Sequence, residues 1–432
     1  MHPSAAIRGH RSHRLAGKTI LVGISGSIAA VESVRVIREL VRHGAEVRAV
    51  MSPEAARIVT PEAVEFATGH RPVLQLSGAV EHVSLLGPGE GRVDLYLIAP
   101  CTANTLSKIA HGIDDTSVTS CASVALGGGV PLLLAPAMHQ HMHGNPAIRA
   151  NLETLRSWGV RIIEPTAAEG EEKLATPEEI AAAVVRALAA GPWVGRSVIV
   201  IGGASREPID RVRAVTNESS GATAVALARE AFYDGAEVEL WLGGHTVVVP
   251  PFLTVTSWST VTDLVRLIDQ RRDRLARAAA VIVPAALSDF TIDAAPGKIA
   301  SRGRSGLTLR LRPATKVLPK LRSAAPPPAL VVGFKLLAGG ASKSLLAASR
   351  KLLEEAGLDA VVANDVSAMG STDAEVTLVR RSDERRIRGT KTAVATELLR
   401  SLAELLPSVP ARPGPSGSPR RAPGPRVAPR RR

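Results

Sequence analysis

At 432 residues, 45% of them hydrophobic and only 3% aromatic, the chain has room for two or three domains, each with its own core. Only two cysteines occur, Cys101 and Cys121, which excludes a disulfide scaffold and suggests a reducing, cytoplasmic setting; no apolar run is long enough to span a bilayer. The net charge of +13 suggests a polyanion partner only until it is located: seven arginines over 408–432 and Arg8, Arg11 and Arg14 over 1–16, with no acid in either stretch, leave +3 for everything between.

Residues 1–16 read as a disordered basic tail without the apolar core of a signal peptide. Then "KTILVGISGSIAAVESVRVIRELVRHGAEVRAVMS" runs as buried strand, glycine turn, helix and strand. Its Val34, Ile37, Leu40 and Val41 recur at helical spacing, and Gly44 ends the helix. "VDLYLIAP" (93–100) and "VPLLLAPAM" (130–138) are further apolar strands running into turns. After "AAGPWVG" (189–195), a boundary by composition, a second unit opens with "RSVIVIGGASREPID" (196–210), the helix "GATAVALAREAFYDGA" and the strand "EVELWLGG". "AAVIVPAALSDF" (279–290), "ALVVGFK" (329–335) and "DAVVANDV" (359–366) follow as buried strands. The alternation of strand and helix predicts an α/β protein of two tandem Rossmann-like domains, residues 17–190 and 191–406, each on a parallel sheet. Residues 407–432, rich in Pro, Gly, Ser and Arg, cannot build a core and are expected to be disordered. They form either a solvated tail or a contact for nucleic acid.

Several stretches carry chemistry. "GISGSIAA" (23–30) joins a buried strand to a helix, where small residues let backbone amides approach a phosphate; a plain strand–helix turn is the other reading. "APCTANTLSKIAHGIDD" (99–115) offers Thr102, Asn104 and Thr105 where open α/β sheets bind ligands, although Asn104 could serve only as an N-cap. "GAVEHVSL" (78–85) places one histidine, His82, in a segment of weak secondary-structure signal, a candidate base or a surface side chain. "APAMHQHMHG" (135–144) sets His139, His141 and His143 at alternate positions. This suits either a metal site or one ligand-facing histidine with two flanking ones.

In combination, order and spacing, residues 15–406 closely resemble the bifunctional phosphopantothenoylcysteine decarboxylase/phosphopantothenate–cysteine ligase family of coenzyme A biosynthesis. The resemblance implies a flavin-containing cysteine decarboxylase fold, homo-oligomeric and binding FMN, followed by a ligase domain using CTP and Mg²⁺. It places Gly26, Ser27 and Ser52 by the flavin phosphate and Thr102, Ala103 and Asn104 by the flavin, with His82 as the catalytic histidine. "PAMHQHM" falls on the family's substrate clamp. Met138 and His139 would face the substrate carboxylate, His139 standing where many members have asparagine, as is usual in the archaeal-type branch. One departure stands out: bacterial-type members protonate the product from a flap cysteine, whereas here "AAEGEEKLA" (167–175) has none. Lys173, or Glu171 or Glu172, would supply the proton unless this is only a solvated loop.

In the ligase half the resemblance assigns Asn217, Ser219, Ser220 and Gly221 to the loop holding the acyl-nucleotide, and Val283, Pro284 and Ala285 of "VPAALSDF" to the nucleotide. Asp289 would contact the nucleotide or its Mg²⁺, and Lys298 the developing pentavalent phosphorus. Ala314, Thr315, Lys316 and Val317 of "PATKVL" and Phe334 of "VGFK" would line the base. Arg350 and Lys351 are approximate substitutes for two lysines of the bacterial pattern, and "ANDVS" (363–367) is present. The implied substrates are 4′-phosphopantothenate, cysteine and CTP. The alternatives are a non-catalytic FMN-binding regulatory or assembly protein of the same fold, a flavin prenyltransferase without a ligase half, and a nucleic-acid binder acting through the arginine tail.

Overall fold

The computed structural model describes residues 2–168, 171–300, 306–337, 342–365 and 373–407. The C-terminal tail from 408, Glu169 and Gly170 of the flap, Ser301, and Val366 and Ser367 of "ANDVS" lie outside the described residues.

The first half runs α1 (Pro3–Ala6), β1 (Thr19–Ile24), α2 (Ser33–Arg42), β2 (Glu46–Met51), α3 (Pro61–Thr68), α4 (Glu81–Leu86), β3 (Leu95–Cys101), α5 (Ala103–Ala110) and α6 (Ser117–Gly128). It continues through β4 (Leu132–Pro136), α7 (Gln140–His143), α8 (Pro146–Ser157), β5 (Arg161–Ile162), the hairpin β6 (Thr166–Ala168) and β7 (Glu171–Lys173), and α9 (Pro177–Ala187). The sheet order is β2-β1-β3-β4-β5, all parallel. Both faces are covered, so the central strands β1, β3 and β4 are buried almost throughout, while the edge strands β2 and β5 carry Glu46, Arg48 and Arg161. Ile20, Val22 and Ile24 face α2, α3 and α9, while Leu21, Tyr96 and Ile98 face α5, α6 and α8.

The second half runs β8 (Ser197–Gly202), β9 (Arg206–Pro208), β10 (Ala214–Thr216), α10 (Ala222–Tyr233), β11 (Glu237–Leu242), β12 (Thr254–Ser257), α11 (Val261–Gln270), α12 (Arg272–Arg277), β13 (Ala280–Val283), β14 (Phe290–Thr291) and β15 (Arg312–Pro313). It closes with α13 (Val317–Ala324), β16 (Leu330–Leu337), α14 (Ser342–Glu355), β17 (Ala360–Asp365), β18 (Asp373–Arg380), β19 (Glu384–Thr390) and α15 (Lys391–Ala403). Its sheet order is β12-β11-β8-β13-β16-β17-β18-β19, parallel up to β17 and antiparallel thereafter. Counted from β8, the parallel part is ordered 3-2-1-4-5-6, the Rossmann arrangement, with its switch point between β8 and β13. The two-domain α/β expectation holds; the antiparallel β18–β19 edge is an addition to it.

The expectation of a disordered N-terminal tail does not hold for residues 2–16. Leu15 is fully buried, and the backbone N–H groups of Gly9, Arg11, Ser12 and Leu15 donate to carbonyls at the end of α2. The arginines are paired: Arg8 with Glu46, Arg11 with Glu39, and Arg14 across to α10 of the second domain, 2.6 Å from Asp234 and 2.5 Å from Glu230. Their partners lie far along the chain, so composition alone made the segment look like free charge.

Under this segment His43 is buried, its Nδ1 2.8 Å from the Ser12 hydroxyl. Burial, then the charges of Arg11, Arg14 and Arg229, push the ring down from 6.5 to about 4. The folded protein thus refuses a proton that the unfolded chain accepts below pH 6.5. The stabilisation is complete above that pH and is lost as the pH falls towards 4. Between pH 7.5 and 5 the wild type should lose about 2 kcal/mol of unfolding free energy through this group. His43→Asn should lack that component, as urea denaturation at both pH values would show.

Candidate active sites

Parallel strands linked by helices bring the strand ends and the following helix N-termini to one edge of each sheet, where unpaired N–H groups await an anion or a polar ligand. In the first domain the crevice lies between β1 and β3. Ser27 caps the short 3₁₀ helix Ile28–Glu32, accepting from Ala29 N–H, and Thr102 caps α5, accepting from Thr105 N–H at 3.1 Å. Asn104 is therefore not the cap; it sits exposed in the first turn of α5. Ala103 is buried beside it. Gly26 is held tightly: a Cβ there would stand 2.3 Å from Glu54 Cβ, so only glycine lets the β1 and β2 loops meet. Ser52 is buried after β2 and caps the turn at Ala55.

Ser25, which sequence reasoning passed over, joins the two crevice loops. Its buried hydroxyl donates to Pro100 C=O at 2.8 Å and accepts Thr102 N–H at 2.9 Å.

His82 is the second residue of α4, a six-residue helix. It follows Val80, whose φ of 52° is a left-handed conformation costly for a β-branched residue and of the kind that accumulates at functional sites. The His82 Nδ1 is buried without a hydrogen-bond partner among the described residues. Ala137 N–H donates to Cys101 C=O at 3.0 Å, which lays the 137–143 loop beside Thr102. Met138 is half-buried there and His139 exposed. His139 and His141 stack, centroids 4.9 Å apart and Nδ1 atoms 3.1 Å apart. Among the described residues no three His, Cys, Asp or Glu side chains gather to hold a metal. Both thiols are buried, which pushes Cys121 up to about 12 and Cys101 higher still. Lys173 lies on β7, its backbone paired with Thr166 of β6.

The hydroxyls of Ser27, Ser52 and Thr102, the Asn104 amide and the helix starts are polar donors and acceptors at one edge of the sheet. That set suits the phosphate and heteroaromatic ring of a flavin nucleotide.

In the second domain a cavity of about 1250 Å³ opens at the β8/β13 switch point. That is more than one small ligand needs and leaves room for a nucleotide with a second substrate. Its lining includes the residues the sequence marked, from four separate stretches. Asn217, Ser219, Ser220 and Gly221 stand at the start of α10; Val283, Pro284, Ala285 and Asp289 follow β13; Ala314, Thr315, Lys316 and Val317 lead into α13; and Phe334 lies on β16. Gly221 is the N-cap at φ 76°, and a Cβ would meet His245 Cβ at 2.9 Å. Asp289 pairs with Lys316 at 2.6 Å.

Lys298 is not among the lining residues. It is exposed beside Ile299, whose N–H donates to Asp210. Arg350 and Lys351 are not lining residues either: Arg350 pairs with Glu384, and Lys351 with Glu355, which does line the cavity. The wall instead includes Lys335, Asn364 and Lys391. Lys391 begins α15, beyond the stretch that sequence motifs reach.

A flavoprotein family model matches residues 8–189, and one for the DNA/pantothenate metabolism flavoprotein C-terminal domain matches 193–406. The coenzyme A biosynthesis bifunctional protein CoaBC of Thermococcus kodakarensis is 42% identical over 94% of this chain and 100% of its own length. That of Methanocaldococcus jannaschii is 32% identical over 94% and 99%. The chain belongs to the CoaBC family. Among solved structures, the DNA/pantothenate metabolism flavoprotein from Streptococcus pneumoniae is 22% identical, covering 49% of this chain and 99% of its own, with a TM-score of 0.44. The FMN-dependent cysteine decarboxylase SpaF is 34% identical over 40% and 99%, with a TM-score of 0.35.

For this CoaBC protein, Ser25 gives a direct check on the crevice. Ser25→Ala removes a buried hydroxyl that satisfies one donor and one acceptor, which costs about 1–3 kcal/mol. Thermal unfolding should shift down, and the purified variant should carry less flavin per chain, read from its visible absorption.

Proposed function

We propose that the chain converts 4′-phosphopantothenate to 4′-phosphopantetheine in two steps at its two sites: CTP-dependent ligation to cysteine in the second domain, then FMN-dependent decarboxylation in the first. The observation that carries this reading is the match to CoaBC over the whole length of the Thermococcus relative, with both crevices furnished in the same chain. A non-catalytic flavin-binding protein of the first fold, or a flavin prenyltransferase, would need neither the second sheet nor its cavity.

In the ligase cavity the start of α10, with Asn217, Ser219, Ser220 and Gly221, binds phosphate through backbone N–H groups and hydroxyls. Phe334 and the 314–317 segment pack against the base. Asp289, paired with Lys316, is the carboxylate that would hold the nucleotide's Mg²⁺, a hard cation that oxygen ligands suit, and Lys316 would then serve the phosphates. The substrate carboxylate attacks the α-phosphorus and releases pyrophosphate, and the cysteine amine then displaces CMP from the acyl-cytidylate. Lys298, assigned to the developing charge, reaches it only if the 295–300 segment closes over the cavity.

In the first crevice FMN supplies a two-electron acceptor and donor. Gly26, Ser27, Ser52, Thr102, Ala103 and Asn104 hold its phosphate and ring. His82 takes the substrate proton, and Met138 and His139 clamp the carboxylate. Lys173, with Glu171 or Glu172, is the flap's candidate for returning a proton. The flavin site is completed between subunits of a homo-oligomer, and the protein works in the cytoplasm. No helix among the described residues is long and apolar enough to cross a membrane.

The test is a coupled assay of the purified protein with 4′-phosphopantothenate, cysteine, Mg²⁺ and each nucleoside triphosphate in turn, following pyrophosphate and carbon dioxide separately. Fastest pyrophosphate release with CTP is expected. His82→Asn should abolish carbon dioxide alone, by at least about 100-fold, and Asp289→Asn should depress pyrophosphate. A flavin-free protein releasing neither product would overturn the reading.

A further inference from the structure

When a carboxyl group leaves carbon as carbon dioxide, a hydrogen must take its place, so a decarboxylase needs a proton donor at that carbon. Neither cysteine can serve: Cys101 and Cys121 are buried in the core of the first domain, and burial raises both thiols far above neutrality.

The loop at the end of β4 offers another donor. The Ala137 N–H bond to Cys101 C=O and the Cys101–Pro136 register bring this loop to the rim of the crevice, next to the N-cap of α5. His139 and His141 there are exposed and share a contact between their Nδ1 atoms at 3.1 Å, and His139 Nδ1 also accepts the backbone N–H of His141 at 3.3 Å. Two facing Nδ1 atoms can hold only one hydrogen between them. In the neutral pair His139 therefore carries its proton at Nε2, its outer nitrogen. A proton arriving from solvent on His141 can pass to His139 Nδ1 across their 3.1 Å contact, which leaves the Nε2–H of His139 to be donated.

We propose that His139 is the catalytic acid that protonates the decarboxylated carbon and that His141 is the positioning residue that recharges it. This rests on the two-step reading above. Two-electron oxidation of the cysteinyl thiol to a thioaldehyde lets the departing carboxyl leave its electron pair as an ene-thiolate. The His139 Nε2–H bond breaks and a C–H bond forms at that carbon, leaving a neutral ring and a thioaldehyde. Bound flavin would return the hydride it accepted to the thioaldehyde carbon, the thiolate so formed takes back the proton held by His82, and water restores the imidazole proton through His141. The same histidine that clamps the substrate carboxylate thus stands where the carboxylate has just been lost.

The test compares the wild-type flavin-loaded protein with His139→Asn, His141→Phe and Lys173→Met, supplied with 4′-phosphopantothenoylcysteine. Both histidines are exposed, so the fold should tolerate these changes. The readout is 4′-phosphopantetheine formed per carbon dioxide released. The expected ratio is near one for the wild type, at least about 100-fold lower for His139→Asn, and lowered by a smaller factor for His141→Phe, with the ene-thiol accumulating.

Nitrogen-15 NMR of the flavin-free protein gives a second readout. The His139 proton should reside at Nε2 in the wild type and spread over both nitrogens in His141→Phe. A ratio that stays near one in both histidine variants, or one that falls only in Lys173→Met, would overturn the proposal. Absence of carbon dioxide from the wild type would instead defeat the two-step reading itself.

Discussion

Parallel strand pairing governs everything functional in this chain. Strands running the same way cannot be joined by tight turns, so each must be followed by a crossover that returns to the opposite edge of the sheet. Helix starts then accumulate at the carboxyl edge, with N–H groups that the helices cannot satisfy themselves. In the first sheet this edge carries the Ser27 and Thr102 caps, and in the second the Gly221 start of α10. Both switch points, β1/β3 and β8/β13, open a crevice between neighbouring crossovers that leave to opposite faces.

What distinguishes the two crevices is the chemistry added to this common edge. The first holds hydroxyls, an amide and histidines, with Ser25 locking one loop to the other. Such a set can grip a phosphate and a flat ring without imposing a strong field. The second has Lys335 and Lys391 on its wall as well as the Asp289–Lys316 pair, in a volume large enough for two substrates. Cations and a carboxylate at that density suit a triphosphate with its metal, where several negative charges must be held and redistributed. The division between a flavin-dependent decarboxylase half and a ligase half follows from these side chains rather than from the folds, which share one plan.

Much of this was legible in the sequence. β1, β3, β4, β8 and β13 are buried almost throughout and read as apolar runs, as do the first halves of β16 and β17 before Lys335 and Asn364; α2 shows its buried stripe at helical spacing. Contacts between distant residues were not legible. The N-terminal segment looked disordered because Arg14 meets Glu230 and Asp234 only in the folded chain. Thr102 rather than Asn104 caps α5, a choice made by backbone geometry one turn away. Ser25 was passed over because a serine in a glycine turn shows nothing of the carbonyl it will meet. Lysines were the least legible: Lys298, Arg350 and Lys351 matched by local pattern, while the cavity wall holds Lys335 and Lys391, the latter on the last helix.

The account's central claim is that one chain carries two chemically independent sites, one at the carboxyl edge of each sheet. The most direct test removes the flavin from the purified protein and measures pyrophosphate and carbon dioxide release before and after FMN is restored. Unchanged pyrophosphate release, with carbon dioxide lost and then recovered, is the predicted result. Parallel loss and recovery of both products would contradict independence and place the two reactions at one shared centre.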